Sequence, residues 1–189
     1  MKRLLIGLGA ALCLAGCASS GIDSLAPKTV EHVDLKRYQG TWYEQARLPM
    51  FFQRNCAQSE AHYRLKPDGD VAVLNRCRTA EGKWEEAKGT ATPQIEGKTD
   101  KLRVEFDNWV SAVLPGVTKG DYWVLYLGDD YSTALVGNPD RRYLWLLSRK
   151  PQLDQQTREE LLSKAQQQGY DTTRLIWRTP DAKMPKATK

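Results

Sequence analysis

From residue 41 onward, apolar and polar side chains alternate with a period of two, the pattern of strands with one buried and one solvated face. The clearest stretch runs from Ala57 to Leu65, where Ala57, Ser59, Ala61, Tyr63 and Leu65 share one face and Gln58, Glu60, His62 and Arg64 share the other. With a first strand from Thr41, similar runs at Val71 to Asn75, Trp84 to Thr92, Leu102 to Phe106, Tyr122 to Leu127, Thr133 to Val136 and Tyr143 to Ser148 bring the predicted strands to eight. Short links between them predict an antiparallel meander, and strands of this kind build either a sandwich or a closed barrel. A helix is expected next, with Asp154 as N-cap, Glu160 and Lys164 as an i,i+4 pair and Gly169 as its stop. Its narrow apolar face, Leu161, Leu162 and Ala165, suits docking on the outside of a sheet. Arg174 to Trp177 reads as a short returning strand.

The N-terminus departs from this pattern. Met1, Lys2 and Arg3 precede an apolar run from Leu4 to Leu14, the charged and apolar regions of a secretory signal, and the run is too short to span a bilayer. It ends in Leu14-Ala15-Gly16-Cys17, which resembles a bacterial lipobox. That resemblance implies cleavage before Cys17 and acylation of Cys17, with an outer-membrane destination because no Asp follows the cysteine. Cleavage leaves 173 of the 189 residues and lowers the formal charge from +5 to +3 by removing Lys2 and Arg3. The remainder is large enough for one domain with a real core. Its basic residues are interspersed with acids, which argues against nucleic acid as a partner. The expected organisation is a signal peptide over 1–16, a lipidated cysteine and tether over 17–34, one domain over 35–178 and a flexible tail over 179–189.

With Cys13 removed and Cys17 lipidated, Cys56 and Cys77 remain in the folded body. An oxidising compartment permits a disulfide between them, and the turn Lys66-Pro67-Asp68-Gly69-Asp70 folds their strands together. Hairpin counting from that turn sets Cys77 opposite about residue 60. A bridge therefore requires Cys56 to lie in the preceding loop or a bulge to intervene; two inert buried thiols are the alternative.

Candidate chemistry is sparse. His32 and His62 have no nucleophile or metal partner nearby in sequence, and no serine elbow, zincin helix or phosphate loop is present. Glu85-Glu86 and Asp129-Asp130 are adjacent pairs, and neighbours along a strand point to opposite faces. The expectation is a protein without catalytic residues, metal site or cofactor.

Three features in order carry a resemblance: Gly40-Thr41-Trp42-Tyr43-Glu44, the turn Gly128-Asp129-Asp130-Tyr131, and Tyr143-Leu144-Trp145-Leu146-Leu147-Ser148-Arg149. The series resembles the lipocalins, and within them the bacterial outer-membrane lipoproteins related to apolipoprotein D, with Tyr122-Trp123-Val124-Leu125 and Ala134-Leu135-Val136 as further matches. The turn departs from the family's usual T-D-Y, since Gly128 replaces the threonine and an extra aspartate precedes the tyrosine. The resemblance implies an all-β fold, an eight-stranded up-and-down antiparallel barrel with one C-terminal helix packed outside and a short ninth strand. It places Gly40, Trp42 and Arg149 at the closed base, with the guanidinium across the indole, an arrangement favoured by cation–π attraction. It also implies a carrier of fatty acids or lysophospholipids, serving membrane maintenance under stress. Such a protein would be lipid-anchored in the outer membrane facing the periplasm, with surface exposure and a homodimer left open.

Alternation counted from Trp42 and Arg149 then assigns the interior. Glu44, Ala46 and Leu48 are expected inside on the first strand, and Tyr143, Trp145 and Leu147 on the last. Ala61, Tyr63, Val73, Ala87, Val104, Phe106, Tyr122, Val124, Tyr126, Ala134 and Val136 complete the expected lining. Small residues at Ala57, Ala61, Ala87, Gly89 and Ala91 argue for a cavity rather than a filled barrel. Loops at the open end collect Arg54, Lys83, Lys119, Arg141 and Arg142, together with Met50, Phe51, Phe52, Trp109, Val110, Val113 and Leu114. These cations predict a preference for anionic head groups. An envelope scaffold that binds no ligand, and a lipid-modifying enzyme, are the alternatives to a carrier.

Overall fold

A computed structural model describes residues 25–107 and 119–185. Among these, nine strands form one continuous antiparallel sheet: β1 (Gly40–Arg47), β2 (Cys56–Leu65), β3 (Val71–Thr79), β4 (Trp84–Pro93), β5 (Lys101–Phe106), β6 (Lys119–Leu127), β7 (Thr133–Gly137), β8 (Leu144–Ser148) and β9 (Ile176–Trp177). Each of the first eight pairs with its neighbour in sequence, and β1 pairs with both β2 and β8, so the meander closes into a barrel without a free edge. The ninth strand lies outside, pairing Trp177 with Ala46 and Ile176 with Arg47.

Two apolar clusters result. The inner one gathers Trp42, Ala61, Tyr63, Val73, Val104, Val124, Ala134, Val136 and Leu147. The outer one gathers Ala46, Leu48, Leu125, Leu135, Leu144 and Leu146 beneath helix α2 (Gln155–Gln167), which contributes Leu161 and Ala165. Asp154 caps this helix by accepting from the Thr157 N–H at 2.8 Å, and Gly169 follows it at φ +83°. Glu160 does not pair with Lys164 as expected. It accepts from the Tyr126 hydroxyl at 2.6 Å, while the Lys164 ammonium lies 5.2 Å from that ring.

Both flanks of the domain are more firmly attached than a tether and a loose tail. Val33 is buried and its N–H donates to Thr99 Oγ1, and the Val30 N–H donates to the Val124 carbonyl. A four-residue helix, α1 (Leu35–Tyr38), is capped by Asp34 and lies at the barrel base; one turn of helix leaves no periodicity to read. At the other end the Thr179 N–H donates to the Ala57 carbonyl, the Gln58 amide donates to the Thr179 carbonyl, and Arg78 donates to the Pro185 carbonyl. Residues on both sides of the expected domain, 35–178, are thus hydrogen-bonded to it. Cys13 and Cys17 lie outside the described residues.

Candidate functional site

The barrel is closed at one end by Trp42, which is fully buried and donates its indole N–H to the Tyr38 carbonyl at 2.8 Å. The Arg149 guanidinium lies 3.9 Å from the Trp42 ring and donates to the carbonyls of Thr41, Arg37, Tyr38 and Tyr131. These acceptors are the backbone groups that a strand end and a short helix leave unpaired, so one side chain both stacks and caps. Gly40 has φ +97°, and a Cβ there would approach Arg149 Nη1 to 3.3 Å, so glycine is required by conformation and by space. The Asp129-Asp130 turn belongs to the same seal: Arg37 stacks on the Tyr131 ring at 3.8 Å, and the Tyr131 hydroxyl accepts from the Asp34 N–H.

Above the seal stand three tyrosines. Tyr38 and Tyr63 stack with centroids 5.9 Å apart, Tyr63 meets Tyr122 edge to face at 5.9 Å, and the Tyr38 and Tyr122 hydroxyls are 2.8 Å apart. Burial pushes Tyr63 up to about 12, and lifts Tyr38 and Tyr122 well above the usual phenol range, so all three are neutral hydroxyls at physiological pH.

Over this floor opens a cavity of about 480 Å³, within the range of small-molecule sites. Ala61, Tyr63, Val73, Ala87, Val104, Phe106, Tyr122, Tyr143 and Trp145 line it, with Leu147 among them. Val124, Ala134 and Val136 belong to the inner cluster and back the floor without lining the open volume. One wall is polar: Glu44 bonds Arg47 at 2.7 Å with both side chains almost fully buried. Gln53 donates to Glu44 at 2.8 Å and to Ser59 at 3.2 Å, and accepts from the Trp145 indole N–H at 2.9 Å. Arg47 also donates to the carbonyls of Gln53 and Cys56, which ties the mouth loop to the wall. A charge pair buried this deeply is tolerated because each ion has several hydrogen-bonding partners.

Four residues expected inside the cup are outside it. The register of β1 against β8 shifts between Glu44 and Ala46, and that of β6 against β7 shifts between Val124 and Tyr126. Each bulge inserts one residue and reverses the parity of everything beyond it. Ala46 and Leu48 consequently face α2, Tyr126 reaches Glu160 on that helix, and Arg47 and Leu127 turn inward. A third shift, between Cys56 and Gln58, removes Ala57 from the inner row. It also brings Cys56 diagonally to Cys77, which pairs with Ser59, and the two are bridged with their Cα atoms 5.4 Å apart. Gly89 answers to a different need from cavity space: a Cβ there would collide with the Glu105 carbonyl on the adjacent strand.

The rim cations are largely engaged by protein groups. Arg141 turns away from the mouth and donates to the carbonyls of Gln168 and Leu25. Arg142 lines the cavity but is paired with Asp140, and Lys119 is paired with Glu105 at 2.6 Å. Arg54 lies over the Phe51 ring and donates to the Phe51 carbonyl. Trp109, Val110, Val113 and Leu114 lie outside the described residues. His62 bonds Thr41 and Glu60, and His32 bonds Thr99. Among the described residues no group of three His, Cys, Asp or Glu side chains is placed to hold a metal ion.

Arg47, which backs Glu44, and Gln53, which lines the cavity, are among the residues that alternation missed. The bulge hides the first, and the second occupies a single 3-10 turn, Phe51–Gln53, without periodicity. Tyr38 was hidden in the same way by the shortness of α1.

Residues 33–180 match the model of the lipocalin-like domain. The chain is 39% identical over 160 residues to temperature-induced lipocalin-1 of Arabidopsis thaliana, covering 84% of each. It is 34% identical over 174 residues to outer membrane lipoprotein Blc of Escherichia coli K12, covering 92% of this chain and 94% of that one. Apolipoprotein D of Bos taurus is 32% identical over 140 residues, covering 69% of this chain and 68% of its own. Among solved structures, insecticyanin of the tobacco hornworm Manduca sexta is similar in fold, with a TM-score of 0.66 at 21% identity and coverage of 85% and 87%.

Proposed function

The chain belongs to the lipocalin family, and from that premise we propose that it is a lipid carrier of the bacterial outer membrane, anchored through Cys17, holding a single-chain lipid for membrane maintenance under stress. The observation that carries this reading is the cup itself: about 480 Å³ of space, sealed at one end by Trp42 and Arg149 and, among the described residues, open at the other. Its lower walls are apolar, so each methylene of an acyl chain gains about 0.8 kcal/mol on leaving water. A barrel serving only as a scaffold has no use for such a space.

Between the two ligand classes, the wall chemistry favours a lysophospholipid over a free fatty acid. The arginines that line the cavity are already paired, Arg76 with Glu60 and Glu86 and Arg142 with Asp140, and Arg47 behind the wall is held by Glu44. Glu85 lines the cavity and has no ion-pair partner among the described residues. A bare carboxylate drawn into the cup would meet like charge, whereas an ammonium or hydroxyl on a zwitterionic head would find acceptors. The anionic preference expected from the rim cations is weakened, because Arg142 and Lys119 are paired with Asp140 and Glu105 and Arg141 and Arg54 are turned to backbone carbonyls.

Protein purified from membranes and analysed by native mass spectrometry should carry intact single-chain phospholipid. Hydrolysis products accumulating with time would indicate an enzyme, and an empty barrel cross-linked to an envelope protein would indicate a scaffold. In titrations, a zwitterionic lysophospholipid should bind more tightly than a fatty acid of equal chain length. Cys17→Ala should move the protein from the membrane fraction to the soluble fraction.

A further inference from the structure

The apolar interior does not end where the cup ends. On the α1 side of the tyrosines lies a second, small void of about 10 Å³, bounded by Leu35, Tyr38, Val71, Ala91 and Leu102. Tyr63, Val104 and Tyr122 line both spaces, so two phenol rings and one valine form the partition between them. We propose that Tyr63 and Tyr122, latched by Tyr38, form the stop that fixes how deep an acyl chain can reach, and therefore which chain lengths this protein accepts. The proposal rests on the carrier reading above and deepens it.

Geometry supplies the reason for tyrosine rather than phenylalanine at this level. A hydroxyl in an apolar interior requires a partner, and the Tyr38 and Tyr122 hydroxyls provide one for each other at 2.8 Å. The Tyr122 ring is thereby fixed across the barrel, and its edge-to-face contact with Tyr63 fixes the second ring. Tyr38 is held in turn, because its ring packs at a tilt of 36° against Trp42 with centroids 4.8 Å apart and its carbonyl accepts from both the Trp42 indole and Arg149. The partition is thus braced against the sealed base of the barrel, as a stop must be. Burial keeps the three hydroxyls protonated, so the latch does not open with pH in the physiological range. Apolar side chains continue beyond it, so removing a ring joins further apolar space to the cup.

The test is a homologous series of saturated lysophospholipids titrated into the full-length protein. Each added methylene should tighten binding about fourfold until the chain meets the rings, after which affinity levels off or falls. Tyr63→Leu should move that limit to chains longer by about two methylenes, a gain of roughly 15-fold for a chain two methylenes past the wild-type limit. Adding Ala91→Val, which refills the void below the partition, should restore the wild-type limit in the Tyr63→Leu background. Tyr38→Phe keeps the volume and removes only the latch, and should blur the limit if Tyr63→Leu folds poorly by thermal melting. A limit at the same chain length in Tyr63→Leu and in Tyr38→Phe, with wild-type binding intact, overturns the stop while leaving the carrier reading in place. Wild-type protein that binds no member of the series overturns both.

Discussion

The inner cluster around the cup and the outer seam under α2 are built by the same strands, yet they do different work. Leu135 and Leu146 in the seam are fully buried and packed against a helix, while Tyr143 and Trp145 in the cup border open space. Buried apolar area in the seam is available to stability alone. In the cup, part of the apolar wall stays uncovered, and its favourable burial is deferred until a ligand arrives. The difference teaches that two bulges, not composition, partition the apolar residues between holding the fold and holding the ligand.

The largest expected effect is at the seal beneath the cup. Trp42→Ala should destabilise by about 3–5 kcal/mol in urea denaturation, because it opens a cavity and leaves the Arg149 guanidinium without its stacking partner. A change below about 1 kcal/mol would mean that the base does not organise the barrel. In the seam, Leu146→Ala should cost about 2–5 kcal/mol while ligand affinity in the folded protein stays within about twofold of wild type. Lost affinity there would break the division between the two clusters.

The disulfide ties the polar wall of the cup to its mouth loop. Cys77→Ser should cost about 2–4 kcal/mol, since the bridge joins two residues 21 apart in sequence. Reduction of the wild type should reproduce the loss. Alkaline pH tests both regions at once. Tyr63 in the cup and Tyr126 in the seam are each pushed up to about 12, mainly by burial, with Glu160 adding to the shift at Tyr126. Their folded values exceed the unfolded value of about 10, so this stabilisation is complete below pH 10 and is lost as pH rises from 10 towards 12. Absorbance of phenolate should therefore appear together with loss of tertiary circular dichroism rather than before it. Smallest of all, Tyr126→Phe should cost under about 1 kcal/mol, since it removes one hydrogen bond at a partly exposed site. It should leave lipid affinity unchanged, because the hydroxyl points to the helix and not into the cup.

Much of this molecule was legible in the order of its residues. Alternation located every strand of the barrel, because a half-buried strand must present apolar side chains at every second position. Asp154 and Gly169 marked the helix, because unpaired backbone groups at helix ends require a cap and a left-handed residue. The motif around Trp42 and the distant Arg149 identified the seal only through resemblance, since nothing local links residues so far apart. What tertiary structure alone decided was parity. A bulge depends on how two strands register against each other, and an extra residue at Gln45 or Leu125 has no signature within its own strand. Ala46, Leu48 and Tyr126 therefore went to the wrong side of the wall in the sequence reading, and Arg47 was left out of it. The same holds for the rim: a sequence counts its arginines, but only the fold reveals that Arg141 faces a helix end and Arg142 an aspartate. Charge is a property of the residue, and its availability to a ligand is a property of its neighbours.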